Sequence, residues 1–152
     1  MRCARVRPDQ VLYAFSRAGS FSHLAVALLT SMTDTRMRHV AYKGGGPAIN
    51  ELDSGETQFL AESPPAVVPH LASKRLRLLA VTSDTRLPQF SDTRTVAESG
   101  VAGYEFRACV ALFRRAGLAK PVVHDARAAA ARMKSDYDKY DKLIRLTGAK
   151  PD

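Results

Sequence analysis

The 152 residues predict an α/β fold in which helices cover a largely parallel sheet. Three observations carry that expectation. Strand-like and helix-like patterns alternate with short links from residue 11 to residue 81, as repeated βαβ units require. Small and polar residues gather in the segments that follow each strand pattern. One such segment, Tyr42-Lys43-Gly44-Gly45-Gly46, runs straight into Pro47, which suits the first turn of a helix. Parallel strands need helical crossovers, and right-handed crossovers put every strand-to-helix loop on one edge of the sheet.

The elements follow in order. Val11-Leu12-Tyr13-Ala14 reads as a short buried strand, and residues 22–33 place Leu24, Leu28, Leu29 and Met32 on one helical face. Met37–Ala41 alternates as a strand. Pro47–Asp53 is a short helix that Gly55 ends. Thr57–Ala61 is the next strand, Pro64-Pro65 opens a helix carrying Val67, Val68 and Leu71, and Leu76–Val81 is a fourth strand. The regularity then weakens: Ser83–Gly100 reads as an extended connection with a short helix at Val96–Ser99. Tyr104–Phe113 is apolar enough for one or two strands, and two helical patterns follow over 121–133 and 135–147.

Composition narrows the function. A hydrophobic fraction of 45% and a charged fraction of 25% are ordinary for a globular domain, and no apolar run reaches membrane-spanning length. The basic start, residues 1–10, is followed by no apolar stretch of signal-peptide length, so no signal peptide is expected in this chain. Cys3 and Cys109 follow no metal or redox spacing. The net charge of +8 raises nucleic-acid binding, but the arginines are scattered from Arg2 to Arg145 and aromatics are only 7%. No nucleic-acid partner is expected. A cationic surface also steers small anions.

The candidate site lies in the loops Ser16–Ser22, Tyr42–Gly46 and Glu62–Pro64, with Thr82-Ser83 after the fourth strand, at the edge where open α/β sheets hold ligands. Glycines leading to a helix N-terminus expose N–H groups aligned with the helix dipole, which favours an anion. The same segment is also compatible with an ordinary strand-to-helix turn. His23 either donates to an anion or orders its loop. Glu62, at a strand end, is the one candidate general base, with no second titratable partner beside it in sequence.

Catalytic signatures are missing. His23, His39, His70 and His124 show no zinc spacing, and no Gly-x-Ser-x-Gly elbow, P-loop or Gly-x-Gly-x-x-Gly occurs. No enzymatic activity and no cofactor are expected. A small α/β enzyme using Glu62 or His23, and a basic nucleic-acid or partner-binding module, are the competing readings.

Several segments occur together and in order: Tyr13-Ala14, Gly19-Ser20-Phe21-Ser22-His23-Leu24-Ala25, His39-Val40-Ala41-Tyr42-Lys43-Gly44-Gly45-Gly46-Pro47-Ala48, Pro69-His70-Leu71, Leu76–Ser83, Thr95-Val96-Ala97-Glu98-Ser99-Gly100 and Gly103-Tyr104-Glu105. This set resembles the Bug family of extracytoplasmic solute receptors of tripartite tricarboxylate transporters. The resemblance runs from about residue 8 to residue 125 and resumes at residues 137–148. It implies a periplasmic-binding-protein-like, three-layer lobe with helices on both sheet faces. It also implies a small mono-, di- or tricarboxylate ligand, membrane permease subunits as partners and a periplasmic location.

Carried over residue by residue, the resemblance implies ligand binding by Gly19, Ser20, Ser22 and His23, by Tyr42, Lys43, Gly44, Gly45 and Ala48, and by Glu62. It assigns residues 8–120 to the second lobe of such a receptor and 121–152 to a C-terminal helical remnant of a first lobe. Residues 1–7 are left as a disordered or non-native start. Because such receptors are about twice this long, the resemblance also implies a truncated chain with impaired binding. Phe15, Arg17 and Phe21 stand where the family usually has small residues, and Glu62 replaces a common aspartate.

Overall fold

The structure is a computed structural model that describes residues 2–108. The helical patterns expected at 121–147, the assignment of 121–152 and the far end of the Tyr104–Phe113 pattern lie outside the described residues.

Three strands, β1 (Leu12–Phe15), β2 (Arg38–Ala41) and β3 (Phe59–Leu60), form one parallel sheet in the order β2-β1-β3. Tyr13 lies beside His39 on one side and Phe59 on the other. The central strand is buried on both faces, as the strands of covered parallel sheets are. Tyr13 and Phe15 share a cluster with Val26 of the helix that follows, α2 (Phe21–Thr33). Ala14 points to the opposite face by the pleat. On that side α3 (Gly45–Ser54) packs on β1 and β3 and buries Ala48 and Ile49.

Local chemistry explains the helix ends. The Ser20 hydroxyl accepts the His23 N–H and caps α2, while Asp34, at φ 49°, donates its N–H to the Thr30 carbonyl. Gly55 closes α3 at φ 87°, the left-handed conformation that glycine adopts freely. Ser63 precedes α4 (Pro64–Ala72), whose first position is proline. The N-terminal residues, expected as a disordered or non-native start, carry a short helix, α1 (Arg2–Val6). Ala4 is buried there and Arg5 donates to the Thr33 carbonyl at 3.5 Å, so the segment has a foothold on the end of α2.

Two further expectations need correction. Residues 76–80 form no strand; Val81 alone makes an isolated bridge to Thr95. β3 is only two residues long and offers this segment no ladder to extend, so Leu79 stays exposed. Nor do Val96–Ser99 form a helix. They make a hydrogen-bonded turn held by a reciprocal pair: the Thr95 hydroxyl accepts the Glu98 N–H at 3.0 Å, and the Glu98 carboxylate accepts the Thr95 N–H at 2.8 Å. Arg86 donates to both Glu98 oxygens, and that hydrogen bond holds the Glu98 carboxyl below its usual range. The link contributes to stability above the ordinary carboxyl range and is lost as pH falls through the lowered value. Thr95→Ala is expected to cost about 1 kcal/mol, read as a lowered urea midpoint at unchanged slope.

The chain after this turn folds back over α2. Tyr104 and Phe106 join Leu24, Ala25 and Leu29 in the larger core cluster. The buried Tyr104 hydroxyl donates to the Ala25 carbonyl at 2.9 Å, and the Phe106 N–H donates to the Thr82 carbonyl at 2.8 Å.

Candidate functional site

At the C-terminal edge of the sheet the loop between β1 and α2 is built from its own hydroxyls. Ser22 Oγ accepts the Ser16 N–H at 3.2 Å and lies 3.2 Å from Ser16 Oγ and 2.9 Å from Ser20 Oγ. A hydroxyl offers one proton and two lone pairs, so these three partners saturate it. The turn from Arg17 to Ser20 is closed by the Ser20 N–H on the Arg17 carbonyl, with Gly19 at φ 74° as its third residue. His23, one turn into α2, reaches back: its Nδ1 accepts the Gly19 N–H at 3.1 Å.

The His23 ring stacks on Phe15 with centroids 4.7 Å apart and meets His39 of β2 edge-on at 5.9 Å. Burial, and secondarily the neighbouring His39, hold its imidazole below the ordinary histidine range. A neutral ring with Nδ1 accepting carries its proton on Nε2.

The second loop is tied to the first. The Tyr42 N–H donates to the Phe15 carbonyl at 2.9 Å and the Gly44 N–H to the Ser16 carbonyl at 3.3 Å. Gly44 then leads into α3, and the Ala48 N–H closes the first helical turn on the Gly44 carbonyl. The N–H groups of Phe21 and Ser22 on α2, and of Gly45 and Gly46 on α3, have no acceptor among the described residues. These four donors come from two helix N-termini held beside one another, where partial positive charge collects.

The third loop supplies Glu62, whose Oε1 accepts the Ser63 N–H at 2.8 Å. A side chain at position 45 would meet Glu62 Oε2 at 2.9 Å, so the glycine lets the carboxylate lie against the start of α3. Tyr42, partly buried, has its hydroxyl pKa raised by that burial and then by the Glu51 carboxylate of α3.

The structure therefore brings the expected residues to one edge, but they do different jobs. Gly19 and Lys43 are exposed, and Ser20, Tyr42, Gly44, Gly45 and Glu62 are partly so. Ser22 and His23 are buried and spent on ordering the loop. Ala48 has no exposed surface and supports the α3 start from beneath. Ser16, which the sequence places at the start of the candidate loop but not among its binding residues, joins the two loops through its carbonyl and orders its own loop through its N–H. Its position directly after the first strand pattern was the available signal. Among the described residues no cluster of three or more His, Cys, Asp or Glu could hold a metal, and no helix is long and apolar enough to cross a membrane.

Comparison with known proteins gives this edge a context. Residues 1–151 match the family described as tripartite tricarboxylate transporter family receptor, extending past both ends of the resemblance seen in the motifs. A UPF0065 protein from the tcbD-tcbE intergenic region of Pseudomonas sp. strain P51 is 32% identical over 124 residues, covering 81% of this chain and 37% of that protein. The structure of R. palustris Rpa4515 with adipate shares 38% identity and a TM-score of 0.67 over 68% of this chain and 35% of that one. MatC from Rhodopseudomonas palustris, solved with bound malate, shares 25% identity and a TM-score of 0.60 over 64% of this chain and 33% of its own. The chain thus spans about a third of the length of the relatives it matches.

Proposed function

Because the chain belongs to the tripartite tricarboxylate transporter receptor family, we propose that its three-loop edge binds a small carboxylate for delivery to membrane permease subunits, with the periplasm as its place of action. The family is one of solute-binding receptors rather than enzymes. The carrying observation is the pair of helix N-termini, α2 and α3, fastened together by the Gly44-to-Ser16 hydrogen bond, with four N–H donors that have no acceptor among the described residues. A carboxylate placed there accepts from both helices at once. Relatives solved with adipate and with malate make dicarboxylates the first ligands to try.

Exposed Lys43 and Arg17 add positive charge at the same edge, and Glu62 offers an acceptor to a hydroxyl or ammonium on the ligand. The described loops form one wall, and affinity depends on contacts that enclose the ligand. The expected dissociation constant for malate or adipate is therefore about 1 mM, equivalent to about 4 kcal/mol. Calorimetric titration of the purified chain tests this. No heat from either dicarboxylate up to tens of millimolar (, roughly) defeats the receptor reading, and micromolar binding defeats the one-walled account.

A further inference from the structure

The bond from the Gly19 N–H to His23 Nδ1 is the only one in the β1–α2 loop that exists in a single protonation state. Neutral His23 accepts it; a protonated ring carries a hydrogen on the same nitrogen and presents a donor to a donor. We propose that His23 is a positioning residue whose neutral ring latches this loop, and that protonation releases the latch and weakens carboxylate capture at acid pH. The second half of this inference rests on the receptor reading above.

The surroundings favour the neutral form. From β1, Phe15 stacks on the ring; Tyr13, in turn, meets His39 at 6.1 Å, and burial pushes its hydroxyl up to about 12, so it stays uncharged. From β2 comes His39, while Arg38 lies on the opposite face by the pleat; Arg17 of this loop and Lys43 of the next are exposed. α2 contains no acidic residue, and Glu62, the carboxylate of the third loop, lies against Gly45. Among the described residues no carboxylate acts on the ring to hold an imidazolium, while His39 opposes one.

Release is also easy. Gly19 is exposed, so its N–H passes to water when the acceptor is lost, and the turn from Arg17 keeps only its serine ties to α2. The sign of the pH effect follows. With a folded value below the unfolded value of about 6.5, the unfolded chain binds more protons, so stability is full above that value and declines as pH falls through it toward the depressed one.

The test follows the Gly19 amide and the His23 ring nitrogens by NMR from pH 8 to pH 4.5 (roughly the range that brackets histidine titration), in the full chain, with calorimetric titration of malate and adipate at both ends. The Gly19 amide shift should titrate with His23, its protection relative to an unstructured amide should fall about tenfold, and dicarboxylate affinity should fall by a similar factor. His23→Gln keeps an acceptor that does not titrate; it should abolish the Gly19 response and leave only the loss of affinity caused by protonation of the ligand's own carboxylates. His23→Phe keeps the stack on Phe15 and should leave the loop released at every pH. A Gly19 amide that ignores the His23 titration, or an affinity that falls as far with pH in His23→Gln as in the wild type, overturns the latch. If the wild-type chain binds neither dicarboxylate at any pH, the receptor reading and the capture half of the inference fall together, while the NMR titration still decides the latch.

Discussion

Phe15→Ala is expected to cost about 3–5 kcal/mol of folding stability, a large share of the roughly 5–15 kcal/mol that holds a domain folded. Phe15 is 2% exposed and ends the central strand, where its ring touches Tyr13, His23 and His39 at centroid distances of 5.9, 4.7 and 5.7 Å. Removing it opens a cavity under the loop that carries Gly19 and leaves His23 without its stacking partner. The backbone role survives, because the Phe15 carbonyl still receives the Tyr42 N–H. Urea unfolding reads the stability loss as a lowered midpoint. Phe15→Leu, which fills much of the space without an aromatic face, should recover most of the stability yet leave the Gly19 amide less protected than in the wild type. Equal protection in Phe15→Leu would show that the stack contributes nothing to the loop.

That substitution also marks where the sequence was legible. The first three strands, α2, α3 and α4 follow from spacing and punctuation: the leucine stripe after Ser20, Pro64 at a helix start, and Gly55 at a helix end. These are local signals, and local chemistry enforces them. Leu76–Val81 has equally good strand chemistry, but a strand is made by its neighbours, and β3 is too short to pair with it. Thr95-x-x-Glu98 is a capping signature, and both of its hydrogen bonds form, yet no helix grows beyond the turn. At the site, the order of loops along one edge was readable because parallel topology dictates it. Which side chains face outward was not. Ser22, His23 and Ala48 belong to the same short motifs as Gly19 and Lys43, and only the packing of α2 and α3 on β1 turns the first three inward.

Tyr104→Ala should rival Phe15→Ala in effect, at about 3–5 kcal/mol, although Tyr104 lies far from the site in sequence. Its ring is 2% exposed among Leu24, Ala25 and Leu29, and its hydroxyl donates to Ala25 across 79 residues of chain. The contact fastens the segment after Thr95 onto α2 beside the face that Val26 turns to the sheet, and Phe59 and Ala61 pack against both clusters. α2 is thus held by two adjoining clusters, and its N-terminus, with the Ser20 cap and the His23 latch, inherits that rigidity. Tyr104→Phe separates the two contributions: it keeps the apolar ring and deletes only the hydroxyl, so it should cost about 1 kcal/mol. Thermal and urea unfolding of both variants give the comparison. If Tyr104→Ala and Tyr104→Phe lose the same stability, the hydrogen bond rather than the packing fastens this segment. If neither loses any, the return of the chain over α2 is not part of the cooperative unit that holds the candidate site.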